Sequence, residues 1–98
     1  MIIRIIKSYR YVIAICDSEL LGKKFEEGKS QLDIKESFYG KEEFSEDEAI
    51  AIMKRMQKED ATFNIAGKNS VDTAIKAGII EKEGTKTIQG IPFALVLL

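Results

Sequence analysis

The stretch Ala61-Thr62-Phe63-Asn64-Ile65-Ala66-Gly67-Lys68-Asn69-Ser70-Val71-Asp72-Thr73-Ala74-Ile75-Lys76-Ala77-Gly78-Ile79 decides the fold. Phe63 and Ile65 alternate with Thr62, Asn64 and Ala66, which is the period of a strand. Val71, Ala74 and Ile75 then recur at helical spacing. Between them, Gly67, Lys68, Asn69 and Ser70 put a glycine, a cation and two capping side chains at the mouth of that helix. Gly78 is placed to end it in the left-handed conformation. The segment therefore predicts a strand, a tight polar turn and a short helix.

Immediately upstream lies the clearest helix signal. Ser45-Glu46-Asp47-Glu48 is a capping box, in which the serine oxygen accepts from the third helical N–H and Glu48 reaches back. Three acids suit the positive end of the helix dipole, and Lys54, Arg55 and Lys58 suit the other end. Ala49, Ile52, Met53 and Met56 make one apolar stripe, which predicts a helix lying on a sheet. A methionine stripe can also be a binding face, but core filling is the better reading.

Further out, residues 2–7 and 11–16 are two runs rich in isoleucine and valine around a polar turn at residues 7–10. Tyr11, Ile13 and Ile15 share one face, and Val12, Ala14 and Cys16 share the other. Both faces are apolar, so the second run is expected to be a central strand paired with the first as a hairpin. Asp17 is expected to cap a helical turn over residues 18–21 that Gly22 ends. Residues 23–28 read as a charged connection, Leu32 and Ile34 as a weak strand, and residues 37–40 as an aromatic pair before a turn glycine. After the central stretch come a polar loop over residues 81–86 and a short strand at Thr87 and Ile88 that Gly90 interrupts. A last strand, residues 91–98, is tied into the sheet, with Pro92 among its first positions or at an edge. The reading is α+β: residues 1–98 as one domain, one mixed sheet and two main helices packed on it. If the strands flanking the second helix are parallel, the crossover through residues 61–88 is right-handed.

Composition excludes several functions. The chain has 98 residues, 45% of them apolar and 32% charged, with a formal net charge of -1. Such balance argues against broad electrostatic binding to nucleic acid or anionic membrane, while leaving room for a local basic patch. No apolar run approaches the ~20 residues needed to span a bilayer, and the first residues do not form a secretory signal, so a cytoplasmic location is expected. Cys16 is the single cysteine, which allows no internal disulfide. With no histidine, neither a Ser-His-Asp triad, a Cys-His pair nor a mixed Cys/His zinc site can be built. No cofactor or metal is expected. Isoleucine, lysine and glutamate dominate, and asparagine occurs only at Asn64 and Asn69. That usage fits a thermophile, and an AT-rich genome equally well.

Two surfaces are candidates for chemistry. At Gly67, Lys68, Asn69 and Ser70, free N–H groups at a helix mouth beside a lysine can hold one anion. The spacing is neither a P-loop nor a dinucleotide fingerprint, and a purely structural cap reads the same residues as well. The second surface combines Lys23, Lys24 and Tyr39, lysines near an aromatic that can hold phosphates and stack a base. Glu26, Glu27 and Glu36 oppose that reading. Asp33, Glu36 and Glu26 form a conceivable, unspecific cation site. Cys16, in an apolar strand beside Asp17, reads as a buried and inert thiol.

Four blocks carry a family resemblance: Leu20-Leu21-Gly22-Lys23-Lys24-Phe25-Glu26-Glu27-Gly28, Glu36-Ser37-Phe38-Tyr39-Gly40, residues 61–71, and Gly90-Ile91-Pro92. In that order they resemble the archaeal family called domain of unknown function 424, over nearly the whole chain. The resemblance implies a cytosolic single-domain protein with no assigned activity. The family pattern continues after its proline with His, Ala and Gln. Here Phe93 and Leu95 stand at the histidine and glutamine positions, so no role of that histidine carries over. The expected function is a non-catalytic binding module for RNA or a ribonucleoprotein. A protein-interaction or homo-oligomeric module is the alternative, and an enzyme acting on a small phosphorylated ligand is the second.

Overall fold

The structure, a computed structural model, describes residues 1–97. Strands β1 (Ile2–Lys7) and β2 (Tyr11–Cys16) form an antiparallel hairpin, Ile2 opposite Cys16 and Lys7 opposite Tyr11. A 3-10 turn (Ser18–Leu20) leads to β3 (Lys24–Glu27) and β4 (Ser30–Asp33), which pair only with each other. A one-turn helix α1 (Glu36–Tyr39) precedes α2 (Glu46–Lys58). The central stretch forms β5 (Thr62–Ala66) and α3 (Lys68–Lys76). A second 3-10 turn (Lys82–Gly84), β6 (Lys86–Ile88) and β7 (Ile91–Val96) close the chain.

The main sheet has the order β1-β2-β5-β7-β6. β2 and β5 are parallel, and the other neighbours are antiparallel. The expected α+β fold, a mixed sheet carrying two main helices, is what forms. Strict alternation in β2 and β5 gives the sheet two apolar faces. On one, Ile13, Ile15, Phe63, Ile65 and Ala94 meet Ala49, Met53 and Met56 of α2 and Val71 and Ala74 of α3. The methionine stripe is therefore core. On the other, Ala14, Cys16 and Ala66 meet Leu20, Ile34 and Tyr39. The segment between β2 and α2 thus packs on the second face.

Three local expectations change. Residues 24–27, read as a connection, are a strand, because Gly28 takes a left-handed φ of 60° and turns the chain back on itself. Gly90 does not interrupt a strand. With Gln89 (φ 50°) and Gly90 (φ 77°) both left-handed, it forms the two-residue turn of the β6–β7 hairpin. The strained Gln89 is held by β3: its N–H donates to Glu27 Oε1 at 2.9 Å and its side-chain amide to the Glu26 carbonyl at 2.6 Å. Strands β5 and β6 run the same way, each antiparallel to β7, which lies between them. Finally, β7 ends at Val96; the expectation that it reaches residue 98 falls partly outside the described residues.

Candidate functional site

Strands β2, β5 and β6 all point their carboxyl ends the same way, and Asp17, Gly67 and Gly90 lie just beyond those ends. This is where ligands bind in parallel sheets, because chain reversals leave backbone groups and side chains convergent there. The Asp17 N–H donates to the Ala66 carbonyl at 3.0 Å, and the Gly67 N–H to the Pro92 carbonyl at 2.8 Å. The three chain segments are thus fastened together by main chain.

The Asp17 carboxylate is the centre of this arrangement. It does not cap the 3-10 turn that follows it, as expected from sequence. It turns to the mouth of α3 instead. Oδ1 accepts from the Ser70 N–H at 2.7 Å and from the Ser70 hydroxyl at 2.7 Å, and Oδ2 accepts from the Asn69 N–H at 3.1 Å. Asp17 is buried, so these charge-assisted bonds replace its hydration. Gly67 makes room for it. A Cβ at Gly67 would sit 2.4 Å from Asp17 Cγ, and its φ of 107° is a glycine conformation.

This geometry revises the reading of Gly67, Lys68, Asn69 and Ser70. The mouth of α3 does attract a negative charge, as the dipole argument requires, and the charge is the protein's own. The amides of Asn69 and Ser70 are spoken for by Asp17. Neither Asn69 nor Ser70 is the N-cap: that position is Gly67, and Ser70 is fully buried inside the first turn. Lys68 and the Asn69 side chain are left exposed at the rim.

Tyr39 requires a correction as well. It is 5% exposed, packed edge-on against Phe38 with ring centroids 5.1 Å apart, and cannot stack a base. The single turn of α1 aims it at the covered face of the sheet, among Cys16, Leu20 and Ile34. Burial, with a smaller contribution from Cys16, pushes its hydroxyl pKa up to about 12. Lys23 and Lys24 are exposed, and Lys24 pairs with Glu26 at 3.4 Å. The acids weighed as a cation site do not converge either. Glu26 faces Lys24, Asp33 faces Lys35 at 3.6 Å, and Glu36 faces Lys41 at 3.1 Å.

A cleft of about 380 Å³ opens beside the α3 mouth. Leu20, Ile91 and Pro92 give it apolar walls, and Glu19, Lys68 and Thr87 bring a carboxylate, an ammonium and a hydroxyl to it. Sequence reasoning missed Leu20, Glu19 and Thr87 here, since only the folded sheet brings three chain segments to one end. One signal was available: an aspartate directly after a fully apolar strand is either paired or out of place. Neither Cys16 nor Asp17 is a ready nucleophile. Burial first, and then the Asp17 charge, push the Cys16 thiol up to about 12, and Asp17 is committed to α3. What the cleft offers is apolar contact with one cation and one anion at its edge.

No helix among the described residues is long and apolar enough to cross a membrane. No curated protein shows significant similarity to the chain. A solved structure described as the crystal structure of an uncharacterized conserved protein from Methanopyrus kandleri matches with a TM-score of 0.83 at 23% identity. The match covers 97% of this chain and 88% of that one, and at that identity it shows a shared fold. The sequence model described as "Protein of unknown function (DUF424)" matches residues 7–98, and the chain belongs to that family.

Proposed function

We propose that the protein is a non-catalytic binding module that holds a segment of a partner protein in the cleft beside α3. The observation that carries this reading is the use of the α3 mouth by Asp17. With the Asn69 and Ser70 amides taken by Asp17, the α3 mouth offers a phosphate less of its backbone. The cleft keeps an apolar floor of Leu20, Ile91 and Pro92 and one lysine at its rim. Such a surface favours an apolar side chain as anchor with an acidic group beside it. RNA, the partner expected from sequence, has lost two supports: the buried Tyr39 and the occupied amides. A phosphorylated small ligand has lost the second of these.

The test is affinity purification of the tagged protein from its source cells, with and without ribonuclease, alongside a Thr87→Arg variant. Thr87 is exposed on the cleft, so arginine there obstructs it without touching the core. The expected result is a set of proteins that survives ribonuclease and is lost with Thr87→Arg. A set that ribonuclease removes points to RNA and overturns the reading.

A further inference from the structure

The hairpin of β3 and β4 stands apart from the rest of the fold. It joins neither edge of the main sheet and pairs only with itself. Its ladder is prolonged toward its root by the Gly22 N–H, which donates to the Ile34 carbonyl at 2.7 Å, and by the Ile34 N–H, which donates to the Lys23 carbonyl at 2.9 Å. That root is fixed, since Leu20 and Ile34 are buried in the core of the second face. The chain between them is held far less. No residue from 22 to 33 is buried, and of these only the half-buried Phe25 and Leu32 pack against that core. The other five strands each contain a buried residue. A two-stranded hairpin is marginal in water unless something else holds it.

What holds the free end is Gln89. Its bonds to Glu27 Oε1 and to the Glu26 carbonyl are, among the described residues, the only side-chain hydrogen bonds that tie residues 24–33 to another part of the fold. Gln89 is left-handed, a conformation that glycine adopts freely and glutamine only under strain. Latch and turn therefore support each other. The two bonds hold Gln89 in its conformation, and in that conformation its N–H reaches the hairpin. Both ends of the hairpin also meet the cleft beside α3. Leu20, at the root, is cleft floor, and the Lys23 N–H donates to its carbonyl at 3.0 Å. Gly90 and Ile91, which follow Gln89, are cleft wall. The hairpin thus joins one side of the cleft to the other.

We infer that the β3–β4 hairpin is a strap for this cleft: it opens as a unit ahead of the rest of the fold, and the Gln89 latch couples its opening to the Gly90–Ile91 wall. When the bonds to Glu26 and Glu27 break, Gln89 is free to leave the left-handed region, and the two-residue turn that carries Gly90 changes with it. By linkage, an occupant that fits the closed wall tightens the strap, and opening the strap weakens the hold on the occupant. That regulatory sense rests on the cleft being a binding surface. The opening itself does not, and it is tested without a partner.

The measurement is amide hydrogen exchange of the free protein, read by NMR at stepped urea below the unfolding transition. The ladder amides of residues 24–33 and the Gln89 N–H should exchange together, at least about a hundredfold faster than those of β2 and β5. Their rate should barely change with urea, because little surface opens. Glu27→Ala removes the latch carboxylate from an exposed position. It should speed exchange across residues 24–33 by about fivefold or more and leave β2 and β5 unchanged. The Ile91 amide should speed up as well, by about threefold or more. In a Gln89→Gly background, where the turn is unstrained without its latch, Glu27→Ala should no longer affect Ile91. Hairpin amides that exchange as slowly as those of β5, with the same urea dependence, overturn the proposal. So does a Gln89 amide that exchanges independently of the hairpin. An Ile91 amide that ignores Glu27→Ala, or responds equally in both backgrounds, overturns the coupling to the cleft wall. Failure of the cleft reading is seen separately, in a Thr87→Arg variant that keeps its partners.

Discussion

Helices α2 and α3 solve the same problem in different ways. Both begin with N–H groups that lack helical partners, and both bring a negative group to them. At α2 the partners are local and exposed. Ser45 Oγ accepts from the Glu48 N–H at 3.2 Å, and Glu48 accepts from the Ser45 N–H at 2.8 Å, three residues apart. At α3 the partner is Asp17, 52 and 53 residues away from the amides it accepts, and it is buried. A local cap stabilises one helix. A distant, buried cap also fixes where that helix sits on the sheet, because the end of β2 must meet the end of β5 for the bonds to form. It also takes up two of the helix-mouth N–H groups that an outside anion would use.

The largest effect should come from removing the space for Asp17. Gly67→Ala places a Cβ against the carboxylate and forces alanine into a glycine conformation. A loss of about 3 kcal/mol or more is expected in urea unfolding, with the α3 amides losing protection from hydrogen exchange. A fully stable variant would show that the Asp17 contact can shift freely.

Next in size is the cap itself. Asp17→Ala leaves the Ser70 hydroxyl and two amides without their partner, at about 2–4 kcal/mol. The same variant reopens the anion site. Sulfate at constant ionic strength should raise its Tm and leave that of the wild-type protein unchanged. Equal response of both proteins would break the comparison.

The exposed cap should matter less. Ser45→Ala is expected to destabilise by about 1 kcal/mol. Its partner Glu48 has a carboxyl held below the ordinary range by the Ser45 N–H and hydroxyl. A lowered folded pKa gives stability that is present above the ordinary carboxylate pKa and fades as pH falls through the lowered value. The difference between wild type and Glu48→Gln should shrink in that acidic window, as seen by thermal unfolding at stepped pH. The smallest effect belongs to Lys68→Ala. Lys68 is exposed and makes no ion pair among the described residues, so stability should change by less than about 0.5 kcal/mol. Any loss of partner binding by this variant then reports on the cleft.

The same contrast explains what could be read from the chain. The capping box at Ser45, the stripe Ala49, Met53 and Met56, the two apolar faces of β2 and the turn at Gly67 depend on neighbours within a few residues. They appear in the structure as the pattern dictates. Tyr39 read as a surface aromatic because charged residues, Lys23 and Lys24 among them, surround the aromatic pair Phe38-Tyr39 in the sequence. Its burial depends on the segment between β2 and α2 folding over the sheet, which no local period encodes.

Sequence by itself determined the α+β class, the helix and strand that flank Gly67, and the exclusion of histidine chemistry. These follow from composition and from periods of two and 3.6 residues, which are properties of the local chain. Only the tertiary structure decided that Asp17 fills the α3 mouth and that a cleft opens at the ends of three strands. Each of those depends on groups far apart in sequence, and a carboxylate's partner is set by which backbone donors the folded sheet brings within hydrogen-bond reach of it.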